Sequence, residues 1–175
     1  MKRLGILLVL LALAFGLKAQ KMGFVDSEYI LKHVPEYITA QKAINNLSDQ
    51  YKKDVDARFQ DLDRAYKAYQ KDQVLLSDDM RKKREDDIVA KEKAAKDFQK
   101  QKFGPEGELF KNREALIKPI QDRIYKAIQS IAEEGDYAII FDKNTEPTML
   151  YASPRYDKSN DVILKMGLKP GVFAK

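Results

Sequence analysis

His33 is the single imidazole in this 175-residue sequence, and there is no cysteine. General-base chemistry at His33 would need a serine nucleophile placed beside it by a known pattern, and none occurs. The expectation for His33 is a surface or boundary histidine just before Pro35. Paired acids stand at Asp54/Asp56, Asp61/Asp63, Asp78/Asp79 and Asp86/Asp87. Residues one or two apart do not share a helix face, so these pairs read as solvated charge rather than acid/base couples. One His and no Cys remove a His–His metal pair, a thiolate site, a disulfide framework and a cysteine nucleophile together. Neither a G-x-x-x-x-G-K-[ST] loop nor a G-x-G-x-x-G turn is present. Gly104-Pro105-Glu106-Gly107 has Pro and Glu where a phosphate cradle needs backbone donors. The expectation is no enzyme: no catalytic residue, no metal, no cofactor and no ATP hydrolysis.

Two groups of residues suit contact instead. Arg81-Lys82-Lys83-Arg84 is the densest basic cluster, suited to anionic lipid headgroups, lipopolysaccharide or an acidic client. Its plainer role is internal pairing through Arg81–Glu85, Lys82–Asp86 and Lys83–Asp87, each i,i+4 and worth about 0.2–0.5 kcal/mol. Tyr51, Phe59, Tyr66, Tyr69 and Phe98 are the candidates for contact with a client chain. At helical stripe spacing such rings pack a hairpin, and amphipathic Tyr can still offer an edge to a second chain.

The elements that position these residues follow a leader. Lys2 and Arg3, an apolar run from Leu4 to Leu17, and then Lys18-Ala19-Gln20 have the layout of a secretory signal peptide, with cleavage expected between Ala19 and Gln20. The run would span roughly 21 Å at ~1.5 Å per residue, short of the ~30 Å hydrocarbon core. Loss of Lys2, Arg3 and Lys18 takes 32 basic residues to 29 against 27 acidic ones, so the net charge falls from +5 to +2. So small a charge gives no argument for nucleic acid as a partner.

In the mature chain Met22–Asp26 reads as a short strand. A first helical zone follows from about Glu36 to Leu76, behind Pro35. Its apolar series is Ile44, Leu47, Tyr51, Val55, Phe59, Leu62, Tyr66, Tyr69, Gln73, Leu76, broken only by Gln73. Nine steps over 32 residues average about 3.56, between the repeats of left-handed and right-handed supercoils, so a long helix with little supercoil is expected. Ser77 or Asp78 would cap a second zone, about Asp79 to Glu134, and turn the chain back into an antiparallel hairpin. The start of that zone carries few and small apolar residues, which predicts an outer arm held weakly. Gly104-Pro105 interrupts it and reads as a hinge that alanine at both positions would stiffen. Pro119 predicts a second bend. Tyr137–Asp142 and Thr148–Ala152 read as strands, and a short helix over about Lys158–Met166 ends at Gly167.

The expected fold is α+β and mostly α: a long antiparallel helical hairpin, 36–108, on a small β-rich body made of 20–35 and 109–175. Three short strands and one small helix make a marginal core with exposed strand edges, and oligomerisation answers both problems.

Taken in order, the strand Met22-Gly-Phe-Val-Asp26 leading into Tyr29-Ile-Leu31, the charged arm with its break near Leu75-Leu-Ser77, the Pro119-Ile120 helix, and the ending Gly135-Asp-Tyr-Ala-Ile-Ile-Phe-Asp142 with Met149-Leu-Tyr-Ala-Ser-Pro154 resemble the periplasmic chaperones of the Skp/OmpH family. The resemblance covers essentially the whole mature chain. It implies a homotrimer with a β-rich trimerisation body and three tentacles around a cavity. It also implies an ATP-independent periplasmic holdase for unfolded outer-membrane proteins, with no catalytic residues. The alternative is a coiled-coil envelope adaptor bridging to a membrane or partner, which would need a specific patch at its tip and would ignore unfolded clients.

Overall fold

Asp26 ends one element and starts the next. It follows strand β1 (Lys21–Val25), and its carboxylate accepts the Tyr29 amide at 2.9 Å as the N-cap of helix α1 (Ser27–Lys32). The computed structural model describes residues 20–145 and 149–174. The expected signal segment, with Ala19, lies outside them, and Gln20 is the first described residue. The described chain divides into two compact units: residues 20–34 with those after 121, and residues 35–121.

In the second unit α2 (Pro35–Asp72) is a single helix of 38 residues, about 57 Å long at ~1.5 Å each. Its first residue is a proline, whose missing N–H has no partner to lose there. A turn of 3₁₀ helix over Gln73–Leu75 and an extended Leu76 end it. Ser77 then caps α3 (Asp78–Phe103), its hydroxyl accepting the Met80 amide at 3.4 Å. The chain does turn back at the expected break. The antiparallel pairing of α2 with α3 is fixed by Tyr51 against Phe103 (6.3 Å between ring centroids), Arg58 over Phe98 (4.0 Å) and Tyr69 bonded to Glu85. Gly104–Gly107 separates α3 from α4 (Glu108–Gly135), which passes through Pro119 without ending.

The glycines at the α3–α4 junction are needed for room. A Cβ on Gly104 would lie 2.4 Å from the Lys100 carbonyl oxygen, and one on Gly107 would meet three backbone atoms at 2.9 Å. Alanine at 104 therefore collides with the junction instead of stiffening it, which corrects the simple hinge expectation. Gly104→Ala is expected to cost about 1–3 kcal/mol, the range for forced overpacking, read as a lower urea midpoint. An unchanged midpoint would mean that the junction rebuilds freely.

In the first unit β1 pairs in parallel with β2 (Tyr137–Asp142), from Met22 opposite Ile139 to Val25 opposite Asp142. The second edge of β1 is taken by a single bridge, Phe24 to Asp157, with the Lys158 amide donating to the Phe24 carbonyl at 2.8 Å. Val25, Ile30, Val34, Ile124, Ala127, Val162 and Ile163 are buried, and Ile30, Val34, Val162 and Ile163 are wholly so. Helix α5 (Ser159–Lys165), which contacts α1, contributes Val162 and Ile163. It ends as its sequence suggests, with Gly167 in the left-handed region at φ 76 and the Leu168 amide reaching back to Ile163 O at 3.0 Å.

Three expectations are corrected in this unit. The third strand is absent: Thr148 lies outside the described residues, and 149–152 carry no strand. A strand needs a ladder partner; Asp157 and Lys158 occupy the β1 edge, and 149–152 do not pair with the outer edge of β2. Helix α1 was not anticipated, although Asp26 before Ser27-Glu28 and Lys32 at the far end form a cap pattern. His33 is a core residue, 2% exposed. The Gly171 amide donates to its Nε2 at 3.0 Å, which leaves Nδ1 to donate to the Tyr29 carbonyl at 2.8 Å. Phe173 packs on the same ring at 4.6 Å, and the Ala174 amide bonds Lys32 O at 3.0 Å. The imidazole thus fastens the C-terminal segment to α1.

Candidate functional site

The α2 stripe is sealed at one end and open at the other. Ala40, Ile44, Tyr51 and Val55 are buried. Beyond Val55 no α2 residue is: Phe59, Leu62, Ala65 and Tyr69 are half-buried, and Tyr66 is 50% exposed. The cause is the returning helix. Ala95 is the one buried residue of α3, and the positions of α3 that turn toward α2 farther out include Arg81, Ile88 and Glu92, all half-buried. An apolar stripe on one helix therefore meets one alanine, one isoleucine and otherwise charged side chains on the other. Dispersion and burial are weak there by construction.

Each candidate contact residue can now be placed. Tyr51 belongs to the sealed end. Its hydroxyl donates to Glu108 Oε2 at 2.9 Å, and Lys102 reaches the same oxygen at 2.5 Å while lying 4.7 Å from the Tyr51 ring. Burial and the Glu108 carboxylate push the phenol above its ordinary range, and the Lys102 and Tyr51 hydrogen bonds hold Glu108 below the usual carboxylate range. Tyr51 is thus a packing residue that fixes the start of α4 to α2, with no free ring face for a client. Phe98 is half-buried under the Arg58 guanidinium. Phe59, Tyr66 and Tyr69 lie together on the open part of the stripe. The Tyr69 hydroxyl donates to Glu85, and that bond raises the phenol above its usual range.

The basic cluster is not internally paired as its spacing suggests. Arg81 turns back to Asp78 at 3.5 Å, Glu85 is engaged by Tyr69, and Asp87 pairs with Lys91 at 3.1 Å. Lys82, Lys83 and Arg84 are exposed and make no salt bridge among the described residues. Beside them at the hairpin turn stand apolar side chains that the periodicity did not single out for contact: Val74 (81% exposed), Leu75 (83%) and Met80 (56%). Their sequence signal was a pair of apolar residues falling on a turn instead of on a helix face. Among the described residues no helix is long and apolar enough to cross a membrane.

Residues 21–166 match the family described as outer membrane protein (OmpH-like). The chain belongs to the OmpH-like family. A curated relative, the chaperone protein Skp of Yersinia enterocolitica, is 25% identical over 158 residues, covering 87% of this chain and 90% of its own. An OmpH-like crystal structure from Caulobacter crescentus superposes with a TM-score of 0.65 at 13% identity, covering 91% of this chain and 92% of that one. That likeness establishes the OmpH-like fold: mostly helical, with long helices packed antiparallel and a small two-stranded sheet. The family resemblance carried by the strand, the charged arm and the Tyr137–Asp142 ending is borne out.

Proposed function

We propose that this OmpH-like protein is a non-enzymatic, ATP-independent holdase of the periplasm that keeps unfolded outer-membrane proteins soluble between its hairpin arms. The observation that carries the reading is the unsealed stripe of α2. Phe59, Leu62, Tyr66 and Tyr69 stay partly open to solvent, flanked by charge of both signs. Many shallow apolar contacts shelter an apolar chain without trapping it. The arms need a base, and a homotrimer supplies one. Strand β2 has a neighbour on one side, with Ile139 46% and Phe141 37% exposed, and Leu150 and Tyr151 stand 97% and 83% exposed. Such an edge is a hazard unless further copies cover it. The unpaired Lys82, Lys83 and Arg84 suit a further contact with anionic lipid or lipopolysaccharide at the tip.

A denatured outer-membrane β-barrel protein diluted from urea is expected to stay in solution when the mature protein is present at one trimer per client. Light scattering reads the result, and aggregation unchanged by the protein would end the holdase reading. Sedimentation of the mature protein should give a trimer, and a monomer at working concentration would remove the cavity.

A further inference from the structure

We infer that the client does not lie on the closed hairpin but replaces the outer part of α3 on α2. The inference rests on the holdase reading and gives its binding surface: Phe59, Leu62, Tyr66 and Tyr69 of α2, uncovered when α3 residues 78–94 swing away. The pairs Tyr51 with Phe103 and Tyr69 with Glu85 both add to 154, which sets the register of the two helices. That register puts Phe59 level with Ala95, Leu62 with Glu92 and Tyr66 with Ile88. The native partner thus offers a methyl, two carboxylates and a single aliphatic chain where the stripe offers four large side chains. From the level of Ala95 out to the turn no other residue of either helix is buried, and the outermost side-chain bond across the hairpin is Tyr69 to Glu85. That bond is a clasp on an interface with little else to close it. A segment with better apolar side chains displaces the outer part of α3 because it gains burial that Glu85 and Glu92 cannot provide.

The stripe also states what kind of segment fits. It is one side chain wide, with Arg58 on one flank and Asp63 on the other, and with Asp56, Asp61, Lys67 and Asp72 a step farther round the helix. An extended strand with alternating apolar and polar residues lays one edge on the rings and turns the other to charge and water, as the strands of a β-barrel do. A wholly apolar ligand would press its second face against those charges. Stripe side chains recur about every 5.4 Å, one helical turn, whereas same-face side chains of a strand recur about every 6.7 Å. The two spacings fall out of step within a few contacts, so no register of the client is strongly preferred, and the occupant slides instead of locking.

Hydrogen exchange on the wild-type protein tests the inference. Released from α2, residues 78–94 form an isolated, highly charged helix near the length at which isolated helices are marginal in water. Their amides are expected to exchange at least tenfold faster when a denatured β-barrel protein is bound, while those of 56–72 become no faster. Exchange in 78–94 that is unchanged or slowed by the client would overturn the opening and leave the holdase reading intact. Because the chain has no cysteine, Tyr69→Cys with Glu85→Cys can be joined by a short bis-maleimide. The linked protein should hold the client at least tenfold more weakly than the same variant unlinked; equal holding would overturn the inference as well. Loss of holding by the wild type itself would instead strike the function proposed above.

Discussion

Ile163→Ala is expected to unfold most of the first unit at moderate temperature. Ile163 is 0% exposed, as are Val162 beside it and Ile30 and Val34. Truncating a buried Ile to Ala costs about 2–5 kcal/mol, because lost burial and the remaining cavity add. A body of this size holds only roughly 3–10 kcal/mol in total, at ~0.05–0.15 kcal/mol per residue. The melting temperature should therefore fall by about 10 °C or more, at roughly 4–8 °C per kcal/mol for so small a body. Leu164→Ala on the same helix is the control. Its side chain is 59% exposed, so its effect should stay within about 0.5 kcal/mol. Similar melts for the two variants would mean that α5 is not part of the core.

The second large effect belongs to Asp26. Its carboxylate caps α1, pairs with Lys143 at 2.6 Å and accepts the Asn144 side-chain amide at 2.7 Å, while its own amide donates to Ser159 Oγ at 2.8 Å. One residue thus joins β1, α1 and the segment after β2 through its side chain, and the start of α5 through its amide. Burial pushes the carboxyl up, but the bonds from Lys143, Tyr29 and Asn144 outweigh it and hold the group below the ordinary carboxylate range. The bond to Asp26 in turn raises the Lys143 ammonium. A lowered folded-state value means that the unfolded chain binds the proton first. The stabilisation is complete above the ordinary carboxylate range and disappears as pH falls through the lowered folded value. Asp26→Ala should cost about 1–3 kcal/mol at neutral pH, mostly the lost cap, since Lys143 is exposed and returns to water when its partner is removed. The variant should also lose part of the acid dependence of wild-type unfolding. Parallel pH–stability curves for the two proteins would show that Asp26 titrates alike folded and unfolded.

What was legible in the sequence was what is decided locally. The break at Leu75–Ser77, the Gly104–Gly107 junction, the Tyr137–Asp142 strand and the Gly167 cap all depend on a few adjacent residues, and all stand where expected. The weak outer arm followed from side-chain size along one helix. Partners distant in sequence were not legible. The stripe spacing marks Tyr51 and Tyr66 alike, but only the junction that brings Glu108 and Lys102 to Tyr51 makes one a buried anchor and leaves the other half open. His33 looked peripheral because Gly171, its partner at Nε2, lies 138 residues away. Met149–Ala152 has a strand composition without a strand, because propensity does not by itself supply a ladder partner.

The parallel ladder of β1 with β2 has a consequence for how each copy is made. Lys21 and Tyr137 are 116 positions apart in the chain. The first strand to emerge during synthesis therefore waits, unmatched, while the whole hairpin and α4 are produced. Closing so long a loop late is slow, whereas the α2–α3 turn forms from neighbours. The hairpin is complete before the sheet, and each newborn chain passes through an interval in which it carries a bare strand edge of its own.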